Sequence, residues 1–173
     1  MSSASVTSPR RAGLLAALDR ETRIISAQSV LLSQAAAERL GLNSTDMECL
    51  DLLNLNGPLP AGRLAELTGL TTGAITGVVD RLERAGYVRR EADPRDRRRV
   101  IVRPILERQA EAAPIFEPLA RAMDELYASF SDDQLAVILD FAARANAIVL
   151  EQIARLRAAP APPGPAASPR DRG

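Results

Sequence analysis

Apolar residues recur along this chain with two periods, and the change from one to the other marks its organisation. Leu14, Leu18, Ile25, Leu32 and Leu40 stand at helical spacing, with Leu15, Leu31 and Ala35 beside them. They predict a long helix over about 12–40 that ends at Gly41. Asn43-Ser44-Thr45-Asp46 offers N-caps to a second helix through Met47, Cys49, Leu50, Leu52 and Leu53, closed by Asn56-Gly57-Pro58. In Arg63-Leu64-Ala65-Glu66-Leu67 two leucines share one side of a helical turn, and Gly69 breaks the pattern. Thr71 is placed to cap a further helix, in which Ile75, Val78, Val79 and Leu82 form one apolar face up to Gly86.

The spacing then shortens. Tyr87-Val88-Arg89-Arg90-Glu91 and Arg99-Val100-Ile101-Val102-Arg103 are rich in β-branched and aromatic residues and read as two strands. Between them lies Ala92-Asp93-Pro94-Arg95-Asp96-Arg97-Arg98, a polar connector with Asp-Pro as turn initiator. Helical spacing returns at Ile105-Leu106. Pro114 removes an i→i−4 hydrogen bond and is expected to kink that helix or to start a fresh segment, with Pro118 early in it. Leu119, Met123, Leu126, Tyr127 and Phe130 continue one face. Ser131-Asp132-Asp133 caps a last helix whose stripe runs through Leu135, Ile138, Leu139, Ala142, Ala145, Ile148, Val149, Ile153 and Leu156.

Two helices joined by a tight glycine-containing turn and followed by a two-stranded ribbon form a winged helix-turn-helix, whose second helix can enter a DNA major groove. The expected fold is mainly α with a small β-wing. The long first helix projects beyond so small a winged domain, and one chain has little else to cover its apolar residues, which points to a partner subunit. The expected divisions are a disordered lead-in over 1–11, an N-terminal dimerisation helix over 12–42 and the winged domain over 43–104. C-terminal dimerisation helices over 105–157 and a disordered Pro/Ala-rich tail over 158–173 complete the chain.

Charge sharpens this picture. From Arg81 to Arg103 nine arginines face Glu83, Glu91, Asp93 and Asp96, a local net of +5 in a chain whose net charge is zero. Positive charge is therefore concentrated where a phosphate backbone would lie. Lys and His are both absent, which removes the usual general base and the usual nitrogen ligand of zinc. The single cysteine, Cys49, rules out an intramolecular disulfide and a multi-cysteine metal site. Gly57-Pro58-Leu59-Pro60-Ala61-Gly62 echoes a phosphate-loop spacing but lacks the Lys and Ser/Thr that grip phosphate and Mg²⁺. No long uncharged apolar run and no signal-peptide core are present, so a soluble cytoplasmic protein without membrane association, metal or cofactor is expected. An enzyme is not expected: only carboxylates remain for acid–base work, and the obvious pair, Asp132-Asp133, is better explained as a helix cap.

The chain resembles the MarR (multiple antibiotic resistance regulator) family. The resemblance rests on Gly57-Pro58-Leu59, on Leu64-Ala65-Glu66-Leu67-Thr68-Gly69-Leu70, and on Val79-Asp80-Arg81-Leu82-Glu83-Arg84-Ala85-Gly86-Tyr87-Val88. The wing segment Asp93-Pro94-Arg95-Asp96-Arg97-Arg98-Arg99-Val100 completes it. It implies a homodimer that binds double-stranded DNA through two winged domains on successive major grooves of a pseudo-palindromic operator. It further implies a repressor released by a small aromatic or lipophilic effector, which changes the spacing of the two recognition helices. The sequence does not fix which residues line the effector's cleft; apolar positions around Leu31, Met47, Phe116 and Met123 are offered as candidates. The alternative is a winged-helix architectural or protein-interaction module without ligand control.

The expected DNA-binding residues are Thr71, Thr72, Gly73, Thr76, Gly77, Arg81, Arg95, Arg97 and Arg98, with Asp80 and Asp96 bracing the wing. Related proteins often carry Arg near the positions of Thr72 and Gly77, and here neither is present. Threonine can touch a thymine methyl or a phosphate, and glycine lets backbones come close, so direct base readout by this helix is expected to be weak. Arg95 and Arg97, nearest the wing tip, are the minor-groove candidates, reading a narrow A·T-rich groove as shape. Arg98 either reads DNA or pairs with Asp80 or Asp96 to hold the wing. Gly69, Gly73 and Gly77 serve either helix packing or close approach to DNA. Cys49, beside Glu48 and Asp51 and with no Lys or His in the chain, reads as a buried, inert thiol.

Overall fold

The computed structural model describes residues 8–96 and 99–159. Helix α1 (Pro9–Leu40) starts three residues before the expected boundary, because Ser8 accepts from the Arg11 N–H at 3.3 Å and Pro9 fits the first helical position. It stops at Gly41, whose left-handed φ of 68° turns the chain and lets the Leu42 N–H reach the Ala37 carbonyl at 2.9 Å. Of its 32 residues only Ala36 and Ala37 are buried. Leu14, Leu18 and Ile25 are more than half exposed, at 58%, 52% and 63%.

Helix α2 (Ser44–Asn56) is capped by Asn43, whose side chain accepts from the Asp46 N–H at 2.8 Å. Its buried face carries Met47, Cys49, Leu50 and Leu53. A two-residue strand, β1 (Leu59–Pro60), follows. Proline is a poor strand residue, so local propensity gives no signal for this strand; Pro60 is tolerated because β1 is an edge strand. Helix α3 (Ala61–Thr68) buries Leu64 and closes at Gly69, whose N–H donates to the Ala65 carbonyl at 2.8 Å. Helix α4 (Thr72–Arg84) begins as expected, with the Thr71 hydroxyl accepting from the Ala74 N–H at 3.2 Å. Ile75, Val78, Val79 and Leu82 are all buried, each contributing about 1.5–3 kcal/mol of burial.

Strands β2 (Val88–Ala92) and β3 (Val100–Pro104) pair antiparallel, Val88 opposite Pro104 and Ala92 opposite Val100, and β3 lies between β1 and β2. Both strands sit one residue later than expected. The Tyr87 N–H belongs to the end of α4, donating to the Leu82 carbonyl at 2.9 Å, and the Arg99 N–H belongs to the tip, donating to the Asp96 carbonyl at 2.8 Å. Neither is left for the ladder.

Helix α5 (Leu106–Ala128) runs unbroken in secondary structure through Pro114 and Pro118. Of the two outcomes expected at Pro114, the fresh segment does not form. A proline removes one hydrogen bond, while its fixed φ still suits a helix, and good helix formers such as Glu111, Ala112, Leu119 and Ala120 carry the turn on either side. Helix α6 (Asp132–Ala158) opens on a capping box: Ser131 accepts from the Gln134 N–H at 3.3 Å, and the Gln134 side chain accepts from the Ser131 N–H at 2.9 Å.

The described chain divides into two compact units at Glu117 and Pro118. The first holds the core, in which Leu53, Leu64, Leu82, Tyr87, Val88 and Val102 bring the helices and the sheet together. In the second, α6 has no buried residue, and Val137, Leu139, Ile148 and Leu156 stand 60–76% exposed. No helix among the described residues is long and apolar enough to cross a membrane.

Candidate nucleic-acid interface

The apolar stripe of α4 fixes which of its side chains face outward. Thr72, Gly73, Thr76 and Asp80 are exposed and Gly77 half-exposed. The Thr76 hydroxyl donates back to the Thr72 carbonyl at 2.9 Å, so toward a ligand it offers its methyl and lone pairs and no donor. Neither Gly73 nor Gly77 is explained by packing. A Cβ on Gly73 would meet nothing within 4 Å, and one on Gly77 would make an ordinary 3.5 Å contact with Arg81 Nη1. Each glycine costs about 1 kcal/mol of helix propensity relative to alanine, without a compensating intramolecular contact.

Arg81 lies on the flank of the same helix. Its Nε donates to both oxygens of Asp46, at 3.1 and 3.0 Å, and its Nη2 donates to Oδ1 at 2.6 Å. The Asp46 side chain is 3% exposed while that of Arg81 is 43% exposed, so the pair reaches from the core of α2 to the surface of α4. Sequence reasoning assigned Asp46 only to a group of capping residues. Its partner lies 35 positions away, beyond the reach of any local pattern.

The wing is tied to α4 by Arg90. From β2 its guanidinium pairs with Glu83 and Asp80 and donates to the Thr76 carbonyl at 3.3 Å, while its backbone N–H donates to Glu83 Oε1 at 2.9 Å. Asp80 is thus engaged with the base of the wing, through Arg90. Arg97 and Arg98 lie outside the described residues. Asp96 belongs to the tip turn, where its carbonyl accepts from Arg99; Asp93 accepts from the Arg95 N–H at 2.8 Å and leaves the Arg95 side chain exposed. Glu91 is held below the usual carboxylate range by hydrogen bonds from Arg103 and then Arg89.

Between the start of α3, α4 and the wing lies an open cleft of about 650 Å³, whose lining includes Arg63, Arg90, Arg99, Thr72 and Thr76. Arg63, Arg84 and Arg99, all exposed, were not among the expected DNA-binding residues; for Arg84 and Arg99 the signal available was their position within the arginine-rich stretch, whereas Arg63 lies 18 residues before it and reaches the cleft only through the fold. A second, small cleft of about 80 Å³ is lined by Met47, Asp51, Tyr87, Gln109 and Phe116 among others, and burial pushes the Asp51 carboxyl up. It brings Met47 and Phe116 together, whereas Leu31 is exposed on α1 and Met123 belongs to the other compact unit. Cys49 is fully buried, and burial first, then Glu48 and Asp46, push its thiol up to about 11. Among the described residues no group of three or more His, Cys, Asp or Glu is placed to hold a metal ion.

A capped helix with a solvent-facing polar side, preceded by a short helix and followed by an arginine-bearing ribbon, makes this a winged helix-turn-helix DNA-binding protein. A family model described as MarR family matches residues 42–100. The uncharacterized HTH-type transcriptional regulator YcgE of Bacillus subtilis (strain 168) is 42% identical over 135 residues, covering 78% of this chain and 88% of its own. A MarR family protein from Bacillus stearothermophilus superposes with a TM-score of 0.59 at 23% identity, over 79% of this chain and 96% of that one. Wild-type apo MarR from E. coli gives 0.52 at 19%, over 74% and 95%. At these identities the two structures establish the fold. The chain belongs to the MarR family of DNA-binding transcriptional regulators.

Proposed function

We propose that this regulator is a cytoplasmic homodimeric repressor that binds a pseudo-palindromic operator in a sequence-specific manner and is released by a small aromatic or lipophilic ligand. The observation that carries the reading is the coexistence of an outward polar α4 face beside an exposed arginine wing with two long helices, α1 and α6, whose apolar stripes are left bare. A stripe of exposed Leu, Ile and Val on each of two helices is the surface expected of a dimer seen as one chain. Two such chains would set their α4 helices about 34–36 Å apart, one turn of B-DNA.

On this reading Thr71, Thr72, Gly73, Thr76 and Gly77 line the major groove with Arg81. Arg95, Arg97 and Arg98 approach the minor groove and backbone, and Asp80 and Asp96 hold the wing. Shape carries much of the discrimination, because threonine and glycine offer few base contacts. Ligand release rests on the same geometry: both helices must fit one face of the duplex, so a few ångströms of change in their spacing disfavours the bound state. The cleft at Met47 and Phe116 supports a ligand site in the first unit, although at about 80 Å³ it must widen to accept an aromatic ring.

The test is a fluorescence-anisotropy titration of the full chain against the intergenic DNA beside its own gene, across a salt series, with a scrambled duplex as control. The reading expects one dimer per site, with log affinity falling against log salt by about 0.9 per phosphate contact. Equal, weak affinity for both duplexes would sink it. Thr76→Ala abolishing site discrimination would overturn the shape-dominated part alone.

A further inference from the structure

We propose that Arg81 is the base-reading residue of the recognition helix, presenting the free edge of its guanidinium to O6 and N7 of a guanine in each half-site. This rests on the operator-binding reading above and names the specificity of that same surface. A guanidinium has five N–H donors arranged around two usable edges. Asp46 takes the side edge, Nε and Nη2, with all three contacts between 2.6 and 3.1 Å. That leaves the end-on edge, one N–H of Nη2 and those of Nη1, with no hydrogen-bond partner for Nη1 among the described residues. The end-on edge is the two-donor fork that matches guanine O6 and N7.

Its direction follows from Gly77. Nη1 lies 3.5 Å from the point a Cβ at position 77 would occupy, on the outward side of α4. A Cβ there would still leave an ordinary contact, so position 77 marks where the free edge lies without having to make room for it. Asp46, being buried, locks the rotamer before DNA arrives, so little side-chain entropy is lost on contact. The weak direct readout expected of threonine and glycine thereby narrows to one guanine per half-site.

The test selects bound duplexes from a randomised library with the full wild-type chain, then scans each guanine of the enriched half-site with 7-deazaguanine, which lacks the N7 acceptor. The expected result is one position per half-site where the replacement weakens binding roughly 5- to 100-fold. Arg81→Lys, which keeps the charge and can still meet Asp46, should lose that sensitivity while keeping the salt dependence. Enriched sites indifferent to 7-deazaguanine would overturn the inference and leave operator binding intact. A loss seen only with a methylphosphonate at the neighbouring phosphate would make Arg81 a backbone contact and overturn it equally. Failure to enrich any sequence would remove the operator reading and this inference together.

Discussion

Asp46 and Arg81 join the second helix to the recognition helix through a carboxylate that is almost wholly buried and a guanidinium that is not. The asymmetry predicts unequal costs for breaking the pair. Arg81→Ala strands a buried carboxylate, and should lower stability by about 2–4 kcal/mol, discounted from the fully buried case because Arg81 is 43% exposed. Asp46→Asn removes the charge but keeps an acceptor, and the remaining guanidinium can hydrate; the loss should be about 1 kcal/mol. Urea denaturation followed by circular dichroism measures both. Equal losses would mean that the carboxylate is hydrated in the native state.

Arg90 predicts a separation of wing from body. Its three contacts on α4 fall on Thr76, Asp80 and Glu83, about two helical turns of the recognition helix. Arg90→Ala should leave the core largely intact, since Arg90 is not part of the buried apolar cluster, but should free the wing to move relative to α4. The expected outcome is a drop of roughly tenfold in operator affinity, faster amide exchange over 88–92 and 100–104, and little change in thermal midpoint. A fall in the midpoint as large as that of Arg81→Ala would show that Arg90 holds the fold rather than the wing.

Local chemistry made most of the architecture readable. Thr71, Asn43 and Ser131 announce helix starts because a side-chain oxygen reaches an N–H two or three residues on, and Gly41, Gly69 and Gly86 announce turns that need a positive φ. Ile75, Val78, Val79 and Leu82 identify a buried face because period and burial coincide. What could not be read was pairing across distance. Asp46 and Arg81 are 35 residues apart, Arg90 chooses Asp80 and Glu83 over other acids nearby, and β1 exists only because β3 offers Leu59 and Pro60 an edge. For α1 the length was the legible signal: a helix too long for the winged domain was expected to leave its leucines without cover, and Leu14, Leu18 and Ile25 are bare in the single chain.

Cys49 predicts an alkaline limit to stability. The folded thiol is pushed from 9.0 up to about 11 by burial, so the unfolded chain releases its proton first as pH rises. Stability linked to this group is complete below 9.0 and is lost progressively up to about 11, on the order of 2 kcal/mol in all. Stability measured from pH 7 upward should therefore fall more steeply for wild type than for Cys49→Val, whose volume is similar and which cannot ionise. A disulfide-exchange reagent should also leave native Cys49 untouched at pH 8 and modify it once urea unfolds the chain. Rapid modification of the native protein would contradict both the burial and the raised thiol.

The bare stripes of α1 and α6 give the sharpest separation between a chain that acts alone and one that acts in pairs. Leu139 is 70% exposed and Ile25 63% exposed in the single chain. If the chain were a monomer, Leu139→Glu or Ile25→Glu would place a charge in water and change stability by less than about 0.5 kcal/mol. If these side chains lie against a second copy, each change buries two uncompensated charges across a two-fold axis and should shift the equilibrium strongly to monomer. Sedimentation equilibrium at micromolar concentration decides the matter, with circular dichroism to confirm that the winged unit stays folded. Operator affinity supplies the link to function: a monomer retains one winged domain and should lose the tight, paired-site complex while keeping weak, salt-sensitive binding to any duplex. Unchanged mass in both variants would mean that the stripes are covered by something other than a second copy, and the paired geometry proposed for the recognition helices would fall with them.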